Sequence, residues 1–301
     1  MNTLSNTTTS NRSFSILIDD VKQLTKVGLS LSVVFSSIAG YLLGAAYIEW
    51  TTLAMLAVGG FCMVGASNTY NQIIERDLDA KMKRTQNRPI PSGRFSPRIA
   101  FVIATVMTLL GIGILYVINP ITAIFGAISI FLYTCAYTPL KTITPLSVFV
   151  GAFPGAIPFM LGWVAATGEF GIEPGTLFMI QFFWQFPHFW AIGWMLDEDY
   201  KKAGFRMLPT GEKDKATAMQ CIIYTIWLVI VSVFPVLKMT GTFYILPGTA
   251  ILVGLLGIGM LYFAIRLYQK MDNKAARALM LASVSYITLV QIVYVIDKFL
   301  H

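Results

Sequence analysis

Asn71, Glu75 and Asp79 recur at four-residue intervals. Four residues turn a helix by about 400°, so successive members drift only about 40° around it. The three side chains therefore form one polar stripe, which Asn68 joins three residues earlier. Asp77, two residues from each acid, points elsewhere. A row of oxygens suits a hard divalent cation. Mg2+ takes one or two carboxylates, accepts phosphate oxygens and keeps waters on its other positions. Lys83, Arg84 and Arg88 follow and could hold a diphosphate, Arg being suited to bidentate phosphate contacts. The plainer alternative is a solvated loop whose charges only set membrane orientation. Asn71 speaks against it, because it sets an amide on the apolar side of the acids, where an unpaired polar group is costly.

A second acidic run, Asp197-Glu198-Asp199, leads into Tyr200 and Lys201. Acids at a helix C-terminus add to the negative pole of its dipole unless a cation neutralises them. Two acidic clusters facing each other over one cavity could each hold a metal ion on a shared diphosphate. About two turns before Asp197 stands His188, within Phe182-Phe183-Trp184-Gln185-Phe186-Pro187-His188-Phe189-Trp190. It could be a hydrogen-bonded structural residue, a haem-iron ligand or a proton carrier. The aromatic rings around it could be packing, or could stabilise a carbocation through their π faces.

The frame for these residues follows from composition. Of 301 residues, 56% are hydrophobic and only 12% charged, against about a quarter charged in a soluble domain. Such a chain cannot cover a water-facing surface. In a membrane protein the net charge of +7 concerns topology rather than nucleic-acid binding. Charge-free stretches cover residues 27–48, 50–74, 99–140, 142–168, 174–196, 216–237, 239–265 and 278–296. A spanning helix needs about 20 apolar residues, so each stretch makes one span except 99–140, which makes two with a turn at Asn119-Pro120. The expected fold is all-α: nine transmembrane helices around a central cavity open to cytoplasmic acidic loops. Residues 1–25 are expected to form a cytoplasmic tail, and 26–301 one intramembrane domain.

All but two of the 22 Lys and Arg then fall on one side, with Lys238 and Lys298 on the other. Positive-inside orientation makes the rich side cytoplasmic, along with the N-terminus, and places the C-terminus opposite. The Ser/Thr/Asn-rich start has no apolar core of a cleaved signal. A bacterial inner membrane is the simplest location. Cys62, Cys135 and Cys221 are well separated, lack metal-type spacing and read as small packing residues. Each acidic loop follows the second helix of a four-helix set, which suggests a repeat without visible sequence identity.

Asn71-xxx-Glu75-xxx-Asp79 followed by Lys81-Met82-x-Arg84-Thr85-x-x-Arg88-Pro89 resembles the first motif of UbiA-type intramembrane prenyltransferases. More narrowly, it is similar to their protohaem IX farnesyltransferase (haem O synthase) branch. Pro187-His188-Phe189-Trp190 and Asp199-Tyr200-x-x-Ala203-Gly204-x-x-Met207-Leu208-Pro209 resemble that branch's second conserved region. The likeness runs through essentially the whole chain from about Lys22. Glu75 departs from the Asp usual in the superfamily and lengthens the carboxylate's reach. Lys26-Val27-Gly28 stands where the family has Lys-Pro-Arg, and Lys141 stands alone for a basic pair. Substrate acids are therefore expected to meet fewer cations than usual.

The resemblance implies transfer of a farnesyl group from farnesyl diphosphate to the 2-vinyl group of haem b. Water then adds to give the hydroxyethylfarnesyl side chain of haem O. It implies a catalytic set of Asn71, Glu75, Asp79 and Asp199, with Mg2+ held by these four and Asp197. It further implies substrate contacts from Lys83, Arg84, Arg88, His188, Tyr200 and Lys201, and haem A synthase as a partner. One rival is a relative that prenylates an aromatic quinone precursor; the motif around His188 argues against it. The other is a transporter, which the gathering of acids at one mouth argues against.

Overall fold

The computed structural model describes residues 14–300, and every regular element among them is a helix. Arg12 and the rest of residues 1–13, with His301, lie outside the described residues. The first half comprises α1 (Phe14–Thr25), α2 (Val27–Gly44), α3 (Trp50–Ile74), the short α4 (Arg76–Asp79), α5 (Pro97–Ile118), α6 (Pro120–Phe131) and α7 (Thr138–Leu140). The second comprises α8 (Ser147–Thr167), α9 (Ile172–Met195), α10 (Asp197–Ala203), α11 (Lys215–Val233), α12 (Pro247–Lys270) and α13 (Asn273–Lys298).

Eight of these segments are long and apolar enough to cross a membrane, counting Pro120–Leu140 as one and running α11 on to Leu237. The ninth expected span is α9, which has the length but not the apolarity. The reason is its position. It packs against α8, α11 and α13, so Gln181, Gln185 and His188 meet protein and cavity rather than lipid. Polar groups survive in a membrane in such places.

The packing closes a ring. α2 meets α3 and α8, α3 meets α5, and α6 joins α5 to α8. Beyond α8, α9 packs on α11 and α13, and α13 returns to α2. At the α2–α8 crossing backbone meets backbone: a Cβ on Gly40 would strike Phe159 O, and one on Gly162 would strike Ser37 O. Small residues permit this approach where no hydrophobic drive pulls helices together.

Local chemistry sets the helix ends. Asn119 makes the expected turn and caps α6, its Oδ1 accepting from Thr122 N at 2.8 Å. The span expected over 239–265 begins instead at Pro247 and continues to Lys270. A lack of charge does not mark a helix start, whereas proline at the first turn does. Residues 14–25, the described part of the expected N-terminal tail, form the amphipathic helix α1. Gln72 Nε2 on α3 ties its end down by donating to Leu24 O at 2.8 Å. At the opposite end of the bundle, Lys298 Nζ donates to Leu42 O at 2.7 Å and also to Ala45 O. It thus meets the carbonyls that the C-terminus of α2 leaves free.

Candidate active site

The acidic stripe survives a break in its helix. α3 ends at Ile74 and Glu75 leaves the helical region, with φ −90° and ψ 6°. Glu75 N nevertheless donates to Asn71 O at 2.9 Å, and Asp79 N to Glu75 O at 2.7 Å. The four-residue bonding register therefore continues, and Asn68, Asn71, Glu75 and Asp79 all face one cavity of about 770 Å3. Asp77 points away, its side chain 85% exposed.

The loop after α4 is a folded cap rather than a solvated tether. Met82, Thr85, Ile90 and Phe95 are buried, and Thr85 Oγ1 donates to Asp79 O at 2.8 Å. This cap returns Arg88 to the stripe, where its guanidinium meets Asp79 Oδ2 at 2.7 Å. Opposite, Lys141 Nζ meets Glu75 Oε1 at 2.7 Å. Glu75 and Asp79 are only 4% and 1% exposed, so these pairs carry buried charge.

A π-helical turn over Leu132–Tyr137 aims the facing wall. Pro139 has no N–H for Cys135 O, and the wider turn lets Tyr133 and Tyr137 both line the cavity. Their ring centroids are 5.2 Å apart. Thr138 Oγ1 accepts from Asn71 Nδ2 at 3.3 Å, which joins this wall to the stripe.

Of the residues expected in the site, Asn71, Glu75, Asp79, Arg84, Arg88, His188 and Tyr200 line the cavity. Lys83, Asp197, Asp199 and Lys201 are not among its lining residues. Asp197 pairs with Lys201 at 2.9 Å and Asp199 with Lys202 at 3.4 Å. The cavity wall also includes Lys26 and Lys141, two cations that the resemblance set at the family's basic positions but that were not expected among the site residues. Their signal was position, since each sits at the very end of a span beside the acids. Lys26 holds its place as a left-handed joint between α1 and α2, φ 46° and ψ 57°.

The electrostatics are those of a buried, positively ringed mouth. Burial pushes the Asp79 carboxyl above the usual carboxylate range, partly offset by Arg88. Burial lowers Lys26 to about 7, helped by the charges of Arg88 and Lys141. For Lys141 burial is the largest influence and acts downward, but the charge of Glu75, its hydrogen bond and the neighbouring Tyr133 and Tyr200 together outweigh it, and the net shift is upward.

Among the described residues, no three His, Cys, Asp or Glu side chains converge to hold a metal by themselves. Mg2+ does not require that, because substrate phosphates supply part of its shell. The donors here fit that arrangement: oxygen atoms on Asn71, Glu75 and Asp79, with Asp79 Oδ1 buried and without a partner.

Deeper in the cavity, His188 Nδ1 lies 2.8 Å from Ser283 Oγ. The Ser283 hydroxyl donates to Met280 O at 2.7 Å. With the single serine proton on Met280 O, the imidazole donates through Nδ1 and keeps its lone pair on Nε2. Trp184 stacks on the ring, centroids 4.6 Å apart and planes 18° apart. Trp184 in turn donates from Nε1 to Ser283 O at 2.6 Å.

A profile of the UbiA prenyltransferase family matches residues 33–287. The chain is 65% identical over 298 residues to a protein of Christiangramia forsetii named protoheme IX farnesyltransferase, covering 99% of each chain. It is 66% identical over 288 residues to a protein of the same name from Flavobacterium psychrophilum, covering 95% of this chain and 96% of the relative. Its fold is similar to that of a digeranylgeranylglyceryl phosphate synthase, with a TM-score of 0.77 and 19% identity over 93% of this chain and 98% of the other. It is also similar to a UbiA homologue from Archaeoglobus fulgidus solved with DMAPP and Mg2+, with a TM-score of 0.67 and 14% identity over 91% and 99% of the two chains.

Proposed function

The chain belongs to the UbiA prenyltransferase family, and on that premise we propose that it farnesylates protohaem IX. The donor is farnesyl diphosphate, the acceptor is the 2-vinyl group of haem b, and the products are haem O and diphosphate. The chain is a multi-pass membrane enzyme. The observation that carries the reading is the joining of one buried acid stripe, a ring of cations and a deep apolar cavity holding His188. The names of the relatives at 65% and 66% identity support the acceptor. The neighbour solved with DMAPP and Mg2+ supports the metal.

Asn71, Glu75 and Asp79 would hold Mg2+, with Asp79 offering its unpartnered oxygen. An ion held by these residues would supply positive charge against the diphosphate as the allylic C–O bond breaks. Lys26, Arg84 and Arg88 stand around the same mouth and hold the phosphate oxygens, with Arg contacts bidentate. Leu29, Val33, Val64 and Val148 line the cavity, enclose the isoprenoid and keep bulk water from the allylic cation. Tyr133 and Tyr137 offer π faces to that cation. His188 orients the porphyrin through Nε2 on the iron. Asp197 and Asp199, engaged by lysines of their own helix, are the candidates for a second metal once those pairs open.

The site occupies the end of the bundle that carries nearly all Lys and Arg, which supports a cytoplasmic mouth and N-terminus in a bacterial inner membrane. A haem A synthase is the partner that would receive the product. The test is a competition in lipid nanodiscs, with farnesyl diphosphate, Mg2+, haem b and 4-hydroxybenzoate present together. Farnesyl on the haem alone is the expected result. Farnesyl on the aromatic acid would move the chain to the quinone-precursor branch.

A further inference from the structure

Four polar side chains sit deep in the cavity, where an isoprenoid tail has no use for them. Gln181 and Gln185 on α9, Ser36 on α2 and Gln291 on α13 all line it. They are 7%, 2%, 7% and 1% exposed, in that order. Gln291 Nε2 donates to Ser36 Oγ at 3.1 Å and to Gln181 Oε1 at 3.2 Å. Gln185 Nε2 donates to Ala152 O at 2.8 Å and to Gln181 O at 3.2 Å. Gly155 is what lets Gln185 approach α8, because a Cβ there would strike Gln185 Oε1.

These bonds leave Gln181 Nε2 and Gln185 Oε1 without a protein partner among the described residues. An amide donor and an amide acceptor without protein partners, on side chains that line one cavity within a membrane, call for a polar occupant. A water needs two to four such partners and room for one molecule. At 1.5 Å per residue, Gln185 lies about 15 Å below the Met195 end of α9, yet its bond to Ala152 O sets it one residue from Gly151, which packs on the Tyr137 ring beside the acid stripe. Its neighbour toward that mouth on the same face is His188, three residues on, which also lines the cavity.

We propose that the Gln181–Gln185–Gln291–Ser36 cluster binds the water that adds to the haem side chain, an assignment that rests on the farnesyl-transfer reading above. The vinyl π pair forms a bond to C1 of the farnesyl group, and the C1–O pair leaves with diphosphate. The vinyl carbon next to the porphyrin is then cationic. A lone pair of the held water closes on that carbon, and the resulting oxonium loses its proton to solvent at the cavity mouth. One farnesyl diphosphate, one haem b and one water thus give haem O, diphosphate and a proton. Without a water in place, the same cation can only lose a proton from carbon and end as an alkene, lighter than haem O by one water. The cluster therefore decides the product rather than the rate of transfer.

The experiment uses the full chain in nanodiscs with haem b, farnesyl diphosphate and Mg2+, reading diphosphate release and haem mass together. Gln185→Leu and Gln181→Leu keep side-chain bulk and remove the amides. Diphosphate release should stay within about threefold of the unsubstituted enzyme, while the alkene replaces haem O as the main product. Haem O at an unchanged fraction from a folded variant overturns the assignment, as does loss of all transfer in a folded variant. Where a leucine variant does not fold, Ser36→Ala decides: it removes one hydroxyl and should raise the alkene fraction, and an unchanged fraction overturns the proposal. If the unsubstituted enzyme farnesylates no haem at all, it is the functional reading that fails, and the two failures are told apart.

Discussion

Lys141 Nζ lies 2.7 Å from Glu75 Oε1, with both side chains nearly out of reach of water. Lys141 closes the π-helical wall and Glu75 the break after α3, so one ion pair joins the two sides of the mouth. Removing one partner of a buried pair leaves the other charge uncompensated, at a cost of about 3–5 kcal/mol. Lys141→Met should therefore lower stability by that order. Adding Glu75→Gln should restore most of it without restoring activity. Thermal unfolding in detergent, set beside turnover, checks both halves.

Asp79 and Asp199 separate the two acidic clusters. Asp79 faces the cavity with a buried, unpartnered oxygen, whereas Asp199 pairs with Lys202 outside the lining. Asp79→Asn should reduce kcat by about 100-fold or more, the scale of losing one stabilising group at a developing charge. Asp199→Asn should cost clearly less. Equal losses in single-turnover kinetics would show that α10 joins the reacting complex as fully as α4 does.

Lys26 gives the site a pH dependence whose sign can be worked out. Burial, with Arg88 and Lys141 nearby, lowers its ammonium to about 7. In the substrate-free protein it is thus largely neutral above that pH. A bound diphosphate favours the charged form and raises the value again. Binding at pH 8 should take up close to one proton, and affinity should fall as pH rises past 7. Lys26→Arg should abolish the uptake. Titration calorimetry in buffers of different ionisation enthalpy measures it directly.

His188 is positioned by Ser283 rather than free in the cavity. His188→Ala should weaken haem binding and shift the Soret band, because the axial nitrogen is lost. Ser283→Ala should shift it less, since it frees the tautomer and leaves the ring. An unchanged spectrum and affinity in His188→Ala would leave the histidine a structural role only.

Much of this was legible from residue spacing. The interval between Asn71, Glu75 and Asp79 set one polar face, and the helical bonding register carries that face through the break at Glu75. Asn119-Pro120 was readable as a turn because its chemistry is local. Other features depended on packing. Lys26 enters the site through a left-handed joint, and Lys141 through a π turn forced by Pro139. Neither device leaves a periodic signal. A solvated loop after α4 was the plainer alternative to a binding site in the sequence, and the loop is instead held down by Met82, Ile90 and Phe95, whose burial no local pattern announces. Asp197 and Asp199 had the right residue type for the site, yet they pair with Lys201 and Lys202 of their own helix and do not line the cavity. Amides scattered over α2, α9 and α13 became one cluster only when those helices met.

The most direct test of the central claim is the mass of haem extracted after the purified protein in lipid nanodiscs meets haem b, farnesyl diphosphate and Mg2+. Haem O should form, and it should be lost both with EDTA and in Glu75→Gln. Haem b recovered unchanged from folded protein, or haem O formed equally well with EDTA or by Glu75→Gln, would contradict a farnesyl transfer driven from this acidic mouth.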